Sequence, residues 1–337
     1  MTPVAPMEAL LAEELPEGKG WQYEPKWDGF RCIALRACDD VQLWSKSGKP
    51  LARYFPEVEA MLGQLKAGEF ILDGELLIVT AGAVAFDALQ LRLHPAASRV
   101  RKLAAETPAM FMAFDCLALD GTMLAARPLA DRRAILERML GREREPLLAL
   151  SPATRDRKEA LGWLDRSGGA LDGVIAKRLE LPYRPGERAM VKVKQRRTAD
   201  CVVGGFRYAA KGKEVGSLLL GLYDDAGLLH HVGYTSSIRA KDRAAWMKDL
   251  QALIGRPGFS GNAPGGPSRW ATERSSEWQP LKPKIVVEVL YDQVTAGRFR
   301  HGTKLLRRRP DKAPTQCKME QLVPPLTPSQ LKQLMRD

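Results

Sequence analysis

The sequence predicts an α+β protein, with a mixed, mainly antiparallel unit over residues 1–196 and a small β-barrel unit over residues 197–337. Three observations predict it. Apolar and polar residues alternate in extended stretches from Trp21 onward, a few segments of helical spacing interrupt them, and strands return after the charged stretch Lys194–Asp200. That stretch is the expected hinge.

The elements follow in order. Gly29 to Leu35 alternates, turns at Asp39-Asp40 and continues as Val41 to Ser45, the pattern of an antiparallel pair. Pro56 to Leu65 reads as a short helix, with proline placed where a missing N–H costs nothing. Phe70 to Val79 and Ala109 to Leu119 are strands, the second ending at Asp120-Gly121, and Pro128 to Leu140 and Arg155 to Leu164 are helices. Val174 to Ala176 and Met190 to Val193 are short enough to be buried strands. Beyond the hinge come strands at Cys201 to Tyr208, Ser217 to Tyr223 and Leu228 to Thr235, then a helix from Ala240 to Ile254 and a Pro/Gly-rich loop from Pro257 to Pro267. Strands at Lys284 to Tyr291 and Arg298 to Leu306 complete a set of strands and one helix that suits an OB-type barrel.

Composition narrows the class. No apolar run is long enough to cross a bilayer, and the N-terminus lacks the basic start and apolar core of a signal peptide. The five cysteines contain no C-x-x-C pair, which argues against a zinc site or a disulfide framework and fits a reducing cytoplasm. Fifty-two Lys and Arg against forty Asp and Glu give a charge of +12, which favours a polyanionic partner. His230 and His231 have no third ligand at metal spacing and read as a solvated strand-end pair.

The chemistry concentrates in Glu24-Pro25-Lys26-Trp27-Asp28-Gly29-Phe30-Arg31. A lone K-x-D-G arises by chance in roughly one chain in ten of this length, so it needs company. Asp73-Gly74-Glu75 interrupts an apolar strand, where carboxylates are costly unless paired or metal-bound. Phe114-Asp115 places an aromatic ring beside an acid, and Asp172 to Lys177 brings more charge into a strand. Lys192 and Lys194 recur with period two and share a face, where two ammoniums repel unless a polyphosphate lies between them.

These blocks, in this order, resemble the nucleotidyltransferase motifs of ATP-dependent DNA ligases, relatives of RNA ligases and mRNA capping enzymes. The resemblance runs from about Trp21 to Val323. Its most discriminating part is Tyr291 to Gly302 followed by Arg309-Pro310-Asp311-Lys312, which is similar to the small bacterial LigC-type ligases and to the ligase domain of LigD. It implies an adenylation domain followed by an OB-fold domain. Lys26 would attack the α-phosphorus of ATP, with Lys192, Lys194 and Mg²⁺ or Mn²⁺ offsetting charge on the phosphates. Glu24 and Phe114 would border the adenine, Arg31 and Glu75 the ribose and nick phosphate, and Glu75 and Asp172 would hold metal. Arg309, Asp311 and Lys312 would close over ATP and swing away. Two positions depart from the common pattern. Lys46 stands where many relatives carry Arg and loses the bidentate fork, and Asp172 replaces Glu, which leads us to expect Mn²⁺ to serve at least as well as Mg²⁺.

The implied partner is nicked duplex DNA, in base-excision repair or end joining, with a repair polymerase, a primase or Ku as protein partner and a monomeric chain. RNA ligases and capping guanylyltransferases share the nucleophile, but the Trp-Asp-Gly-Phe-Arg form and the Arg-Phe-Arg-His stretch favour DNA. A non-catalytic binding protein would show lesions in the motifs, and the central positions are intact. Almost nothing precedes Trp21, so DNA binding is expected to do without the N-terminal domain that encircles DNA in large ligases and to lean on phosphate contacts.

Overall fold

A computed structural model describes residues 4–80, 83–167, 171–195, 197–209, 214–265, 277–295, 297–322 and 328–335. The chain divides into two compact units, Met1–Gln195 with Pro325–Asp337, and Arg196–Pro324.

In the first unit the longer strands are β1 (Glu8–Ala12), β2 (Trp21–Trp27), β3 (Phe30–Ala37), β4 (Asp40–Ser45), β5 (Phe70–Thr80), β6 (Ala109–Leu119), β7 (Leu171–Arg178) and β8 (Arg188–Val193). They form two sheets, ordered β1-β8-β7-β2 and β4-β3-β5-β6. All these pairings are antiparallel except β1 with β8. The alternation along β3 and β5 buries Cys32, Ala34, Leu72 and Leu76 with Val58, Met61 and Leu62 of helix α1 (Pro56–Gly63) and Leu136 of a later helix. Residues of opposite parity, Ile33, Leu35 and Ile71, join Met7 and Met190 in a separate cluster. Both faces of this sheet are therefore covered, and side chains that would be solvated on an open sheet become walls of a site.

Several elements escaped the sequence pattern. Strand β1 precedes Trp21; its Leu10 and Leu11 are about half exposed, so it shows no clean alternation. Helices α2 (Phe86–Arg92) and α3 (Ala97–Glu106) are short and held by tertiary contacts, including the fully buried Arg92, whose guanidinium meets Glu57 at 2.5 Å. Helices α4 (Leu129–Leu140) and α5 (Arg157–Asp165) lie close to their expected positions.

The second unit contains β9 (Arg197–Tyr208), β10 (Val215–Tyr223), β11 (Leu229–Thr235), α6 (Arg243–Gln251), β12 (Val286–Tyr291) and β13 (Lys304–Arg308). The sheet order is β11-β10-β9-β12-β13, antiparallel throughout. Its two edges then meet: Thr235 bridges Thr303 in parallel, and the Thr235 hydroxyl donates to the Thr303 carbonyl at 2.9 Å. Closure leaves a barrel around Val202, Leu218, Leu220 and Val287 with α6 between the third and fourth long strands, the OB arrangement.

Four expectations change here. The strand expected over Arg298 to Leu306 is broken, because residues 300–303 leave the ladder to make that closing contact. The helix expected from Ala240 begins as a 3₁₀ turn, Ala240–Asp242. Residues 197–200 of the expected hinge belong to β9, paired with β12, while Arg196 lies outside the described residues. The C-terminal helix α7 (Pro328–Leu334) belongs with the first unit, although the sequence division ran the second unit to residue 337. Its Leu331 and Leu334, one turn apart, are buried with Leu15, Tyr23 and Trp163.

His231 is also not solvated. It is 6% exposed, its ring lies edge-on to Phe259 with centroids 5.3 Å apart, and Arg298 Nη2 sits 3.1 Å from Nδ1. Burial, reinforced by the Arg298 and Arg207 charges, lowers it from the usual 6.5 to about 3. Its neighbour His230 meets a carboxylate, Asp224, at 2.8 Å. The unfolded chain therefore takes up a proton at residue 231 below pH 6.5 that the folded chain refuses until about pH 3. The stabilising contribution is complete above pH 6.5 and is lost as pH falls through that window, at a rate approaching ~1.4 kcal/mol per pH unit. In His231→Gln this component of the acid slope disappears. Urea titrations at pH 7, 6 and 5 check it, and an unchanged slope refutes it.

Candidate active site

The first unit encloses a cavity of about 1120 Å³, lined among others by Glu24, Lys26, Arg31, Lys46, Glu75, Phe114, Lys177 and Lys192. The backbone explains why these side chains converge. On β2, Glu24 and Lys26 are two apart and share a face. Lys194 follows the end of β8 at Val193, and Ile175 of β7 pairs with Glu24 on one side and Lys192 on the other. On the second sheet Arg31 pairs directly with Glu75. Gly29, in the link between β2 and β3, admits no side chain. A Cβ there would collide with the Leu76 carbonyl and come within 2.6 Å of the Leu77 side chain.

Two bulges aim the remaining groups. Between Leu171 and Val174 the pairing of β7 with β2 shifts, and Gly173 takes φ +122°. Asp172 thereby reaches Lys26, with Nζ to Oδ2 at 2.5 Å, and Lys194 meets the same oxygen at 2.9 Å. Between Asp73 and Gly74 the pairing of β5 with β6 skips Phe114. Arg31 and Lys177 both lie 4.6 Å from the centre of its ring, geometry in which the π face attracts cations. An extra residue on one strand re-aims a side chain without disturbing the ladder on either side.

Charge is distributed unevenly over the walls. Burial works to raise the Asp172 carboxyl, but Lys26 and Lys194 outweigh it and hold it below the usual carboxylate range. Glu75 goes the other way: burial pushes it up to about 7 against the pull of Lys26 and Arg31. Lys192 is lowered by burial and by Lys26, Lys194 and Lys46. Glu24 is 2% exposed, accepting from Lys177 at 2.8 Å and from Gln22 at 2.7 Å. Lys46 is the outlying member, well exposed and paired to Glu8 at 3.1 Å.

Sequence reasoning missed Lys177, Asp73, Tyr183 and Glu8. Asp73 is fully buried and accepts from Arg31 Nε and Nη2 and from the Tyr183 hydroxyl, each at 2.6 Å. Tyr183 in turn accepts from the Met7 amide at 2.8 Å, which ties the N-terminal segment to the cavity wall. The available signal was the charge placed inside apolar strands, which marked Asp73 and Lys177 as anomalous without giving their partners.

Arg309, Asp311 and Lys312 lie in the second unit. There Asp200 meets Arg309 Nη1 at 2.9 Å and Lys312 Nζ at 2.8 Å, and Asp311 meets Arg309 Nη2 at 2.8 Å. Ala296, within the C-terminal block, lies outside the described residues. Among the described residues no three His, Cys, Asp or Glu cluster as a ready-made metal site, and no helix is long and apolar enough to cross a membrane.

Known proteins match this architecture along nearly its whole length. The family of ATP dependent DNA ligase domains matches residues 5–194, and that of ATP dependent DNA ligase C terminal regions matches residues 211–312. DNA ligase C1 of Mycolicibacterium smegmatis is 44% identical over 335 residues, spanning 96% of this chain and 95% of its own. The multifunctional non-homologous end joining DNA repair protein LigD of Mycobacterium tuberculosis is 30% identical over 305 residues, covering 89% of this chain and 37% of that protein. A solved Lig E DNA ligase shares the fold with a TM-score of 0.54 at 19% identity, over 90% of this chain and 99% of that one. With an ion-paired lysine lining a cavity in the first unit and a barrel as the second, and with relatives aligned over nearly the whole chain, this chain belongs to the ATP-dependent DNA ligase family.

Proposed function

We propose that the chain seals nicks in duplex DNA, joining a 5′-phosphate to a 3′-hydroxyl through AMP carried on Lys26. The observation that carries the reading is the position of Lys26, whose amine lines a cavity of nucleotide size while Asp172 holds it beside Lys194. In the first step Nζ, having given a proton to solvent, forms a bond to the α-phosphorus. The bond from that phosphorus to the bridging oxygen breaks, and pyrophosphate leaves with the electron pair. AMP then passes to the 5′-phosphate at the nick, and the 3′-hydroxyl displaces it.

The other residues bind and orient. Phe114 offers a ring face to the adenine, and the Glu24 carboxylate, fixed by Gln22 and Lys177, offers acceptor lone pairs at its edge. Arg31, locked by Asp73, and Lys192 face the ribose and phosphates, with Lys46 further out. Arg309 and Lys312 are the second unit's cations for the departing pyrophosphate, with Asp311 as a counter-ion of Arg309. Glu75 fits a hard divalent cation, since a desolvated carboxyl gains from a positive partner, and Asp172 presents a second oxygen donor shared with two lysines. Two carboxylates plus substrate phosphates are the usual complement for Mg²⁺. Such an ion, Mg²⁺ or Mn²⁺, would neutralise charge developing on the phosphates.

The DNA duplex is the polyanion that the +12 charge anticipates. A complex that neutralises about six phosphates loses on the order of 10³-fold in affinity between 50 and 200 mM salt. Fluorescence anisotropy with a nicked duplex measures this, and an affinity that stays flat over the range contradicts phosphate-led binding. The likeness to the end joining DNA repair protein LigD supports a place in repair, with a repair polymerase, a primase or Ku as partner.

Incubation with α-³²P-ATP and divalent metal, followed by a chase with 5′-phosphorylated nicked DNA, tests the function. Covalent labelling followed by transfer and sealing is the expected result. A label that transfers to nicked RNA but not to DNA reassigns the substrate, and a folded, AMP-free preparation that never labels overturns the reading.

A further inference from the structure

In the second unit the two cations Arg309 and Lys312 converge on one carboxylate, Asp200. Asp200 lies on β9 opposite Glu288 of β12, and its surface is 9% exposed. Its backbone is clamped at both ends by one side chain: the amide donates to Gln321 Oε1 at 3.0 Å, and the carbonyl accepts from Gln321 Nε2 at 3.2 Å. The carboxylate receives Arg309 Nη1 on both oxygens, at 2.9 and 3.0 Å, and Lys312 Nζ on Oδ2 at 2.8 Å. Asp311 occupies the other edge of the same guanidinium, taking Nε at 3.0 Å and Nη2 at 2.8 Å.

The two carboxylates differ in what holds them. The Asp200 side chain is 12% exposed, whereas that of Asp311 is 60% exposed, on the residue next to Lys312. A phosphate arriving from solvent competes with Asp311 for the Nε and Nη2 edge, but it reaches Asp200 only by dislodging two cations from a buried anchor. We propose that Asp200 is a positioning residue that holds Arg309 and Lys312 in one fixed geometry for pyrophosphate expulsion, and that Asp311 is the counter-ion which the polyphosphate displaces. This rests on the reading that Arg309 and Lys312 act on ATP. A fork held along one edge presents its other edge ready-oriented, so less freedom is lost when the phosphate binds.

The prediction separates the chemical steps. In Asp200→Asn the rate of lysyl-AMP formation under single turnover falls on the order of tenfold to hundredfold. Sealing of a chemically pre-adenylated nick without ATP, where no pyrophosphate leaves, stays within about twofold of the parent, so a folding defect is excluded in the same preparation. Arg309→Ala serves as reference, with a loss of roughly 10²- to 10³-fold in lysyl-AMP formation. The double variant Asp200→Asn/Arg309→Ala is no slower than Arg309→Ala/Lys312→Ala, because Asp200 acts only through those cations. Undiminished adenylation in Asp200→Asn, an equal loss in both steps, or a double variant slower than that limit each overturns the assignment. If Arg309→Ala and Lys312→Ala adenylate normally, the reading of the cations fails instead, and the two failures are told apart.

Discussion

Lys26→Ala is expected to abolish covalent labelling by α-³²P-ATP, with a loss on the order of 10⁴-fold or more, as for removal of a nucleophile elsewhere. The fold should survive. Asp172 loses one of two cations but keeps Lys194 at 2.9 Å, so no carboxylate is stranded in the wall. Lys26→Arg sharpens the experiment, because guanidinium preserves the charge beside Asp172 yet never gives up its proton near neutral pH. Both variants should bind nicked DNA and melt near the parent temperature while neither takes up label. They should still join a pre-adenylated nick at a measurable rate, since that step no longer asks for the amine. Label retained by either variant, at the parent position or another, removes Lys26 from the nucleophile's role.

The second large effect is on stability. Asp73→Ala should destabilise the first unit by about 3–5 kcal/mol, the cost of stranding a buried charge. Asp73 is wholly buried and accepts from Arg31 twice and from Tyr183 once, so its removal leaves the guanidinium without its hydrogen-bonded carboxylate and a phenol without an acceptor. For a unit of this size that corresponds to a fall in melting temperature of roughly 10 °C. Asp73→Asn, which keeps an acceptor, should lose less. The exposed pair Lys102–Glu106, 3.8 Å apart on α3, is the contrast: deleting it should change stability by no more than about 0.5 kcal/mol. Because Arg31 also lies over the Phe114 ring, Asp73→Ala should weaken ATP binding in whatever fraction stays folded. Denaturant titration decides the first point, and an Asp73→Ala variant within 1 kcal/mol of the parent would falsify the buried-pair argument.

Part of the cavity lining was legible because its anomaly is local. A charged residue inside an apolar strand stands out in a window of a few positions. Glu75 stood out in that way, whereas Glu24, Lys26, Arg31 and Phe114 were assigned from the resemblance to ligase motifs; the structure lines one cavity with all five. Strand β1 was not legible, since its apolar residues are half exposed and its partner β8 is some 180 residues away. Nor was the burial of His231, decided by Phe259 and Arg298 from other parts of the barrel.

By itself, then, the sequence determined the two-part α+β architecture, the long strands, and the residue types that line the cavity. Only the tertiary structure decided how those residues are aimed. The bulge that turns Asp172 onto Lys26 is a slip in register between strands whose contacting residues lie 146 positions apart. The bulge that frees Phe114, the clasp of Asp73 on Arg31 and Tyr183, and the anchoring of Arg309 by Asp200 across 109 positions are of the same kind. Hydrophobic periodicity is written within one element and survives in the sequence. Register, ion-pair choice and bulge position belong to pairs of elements, and they are settled only when folding brings both members together.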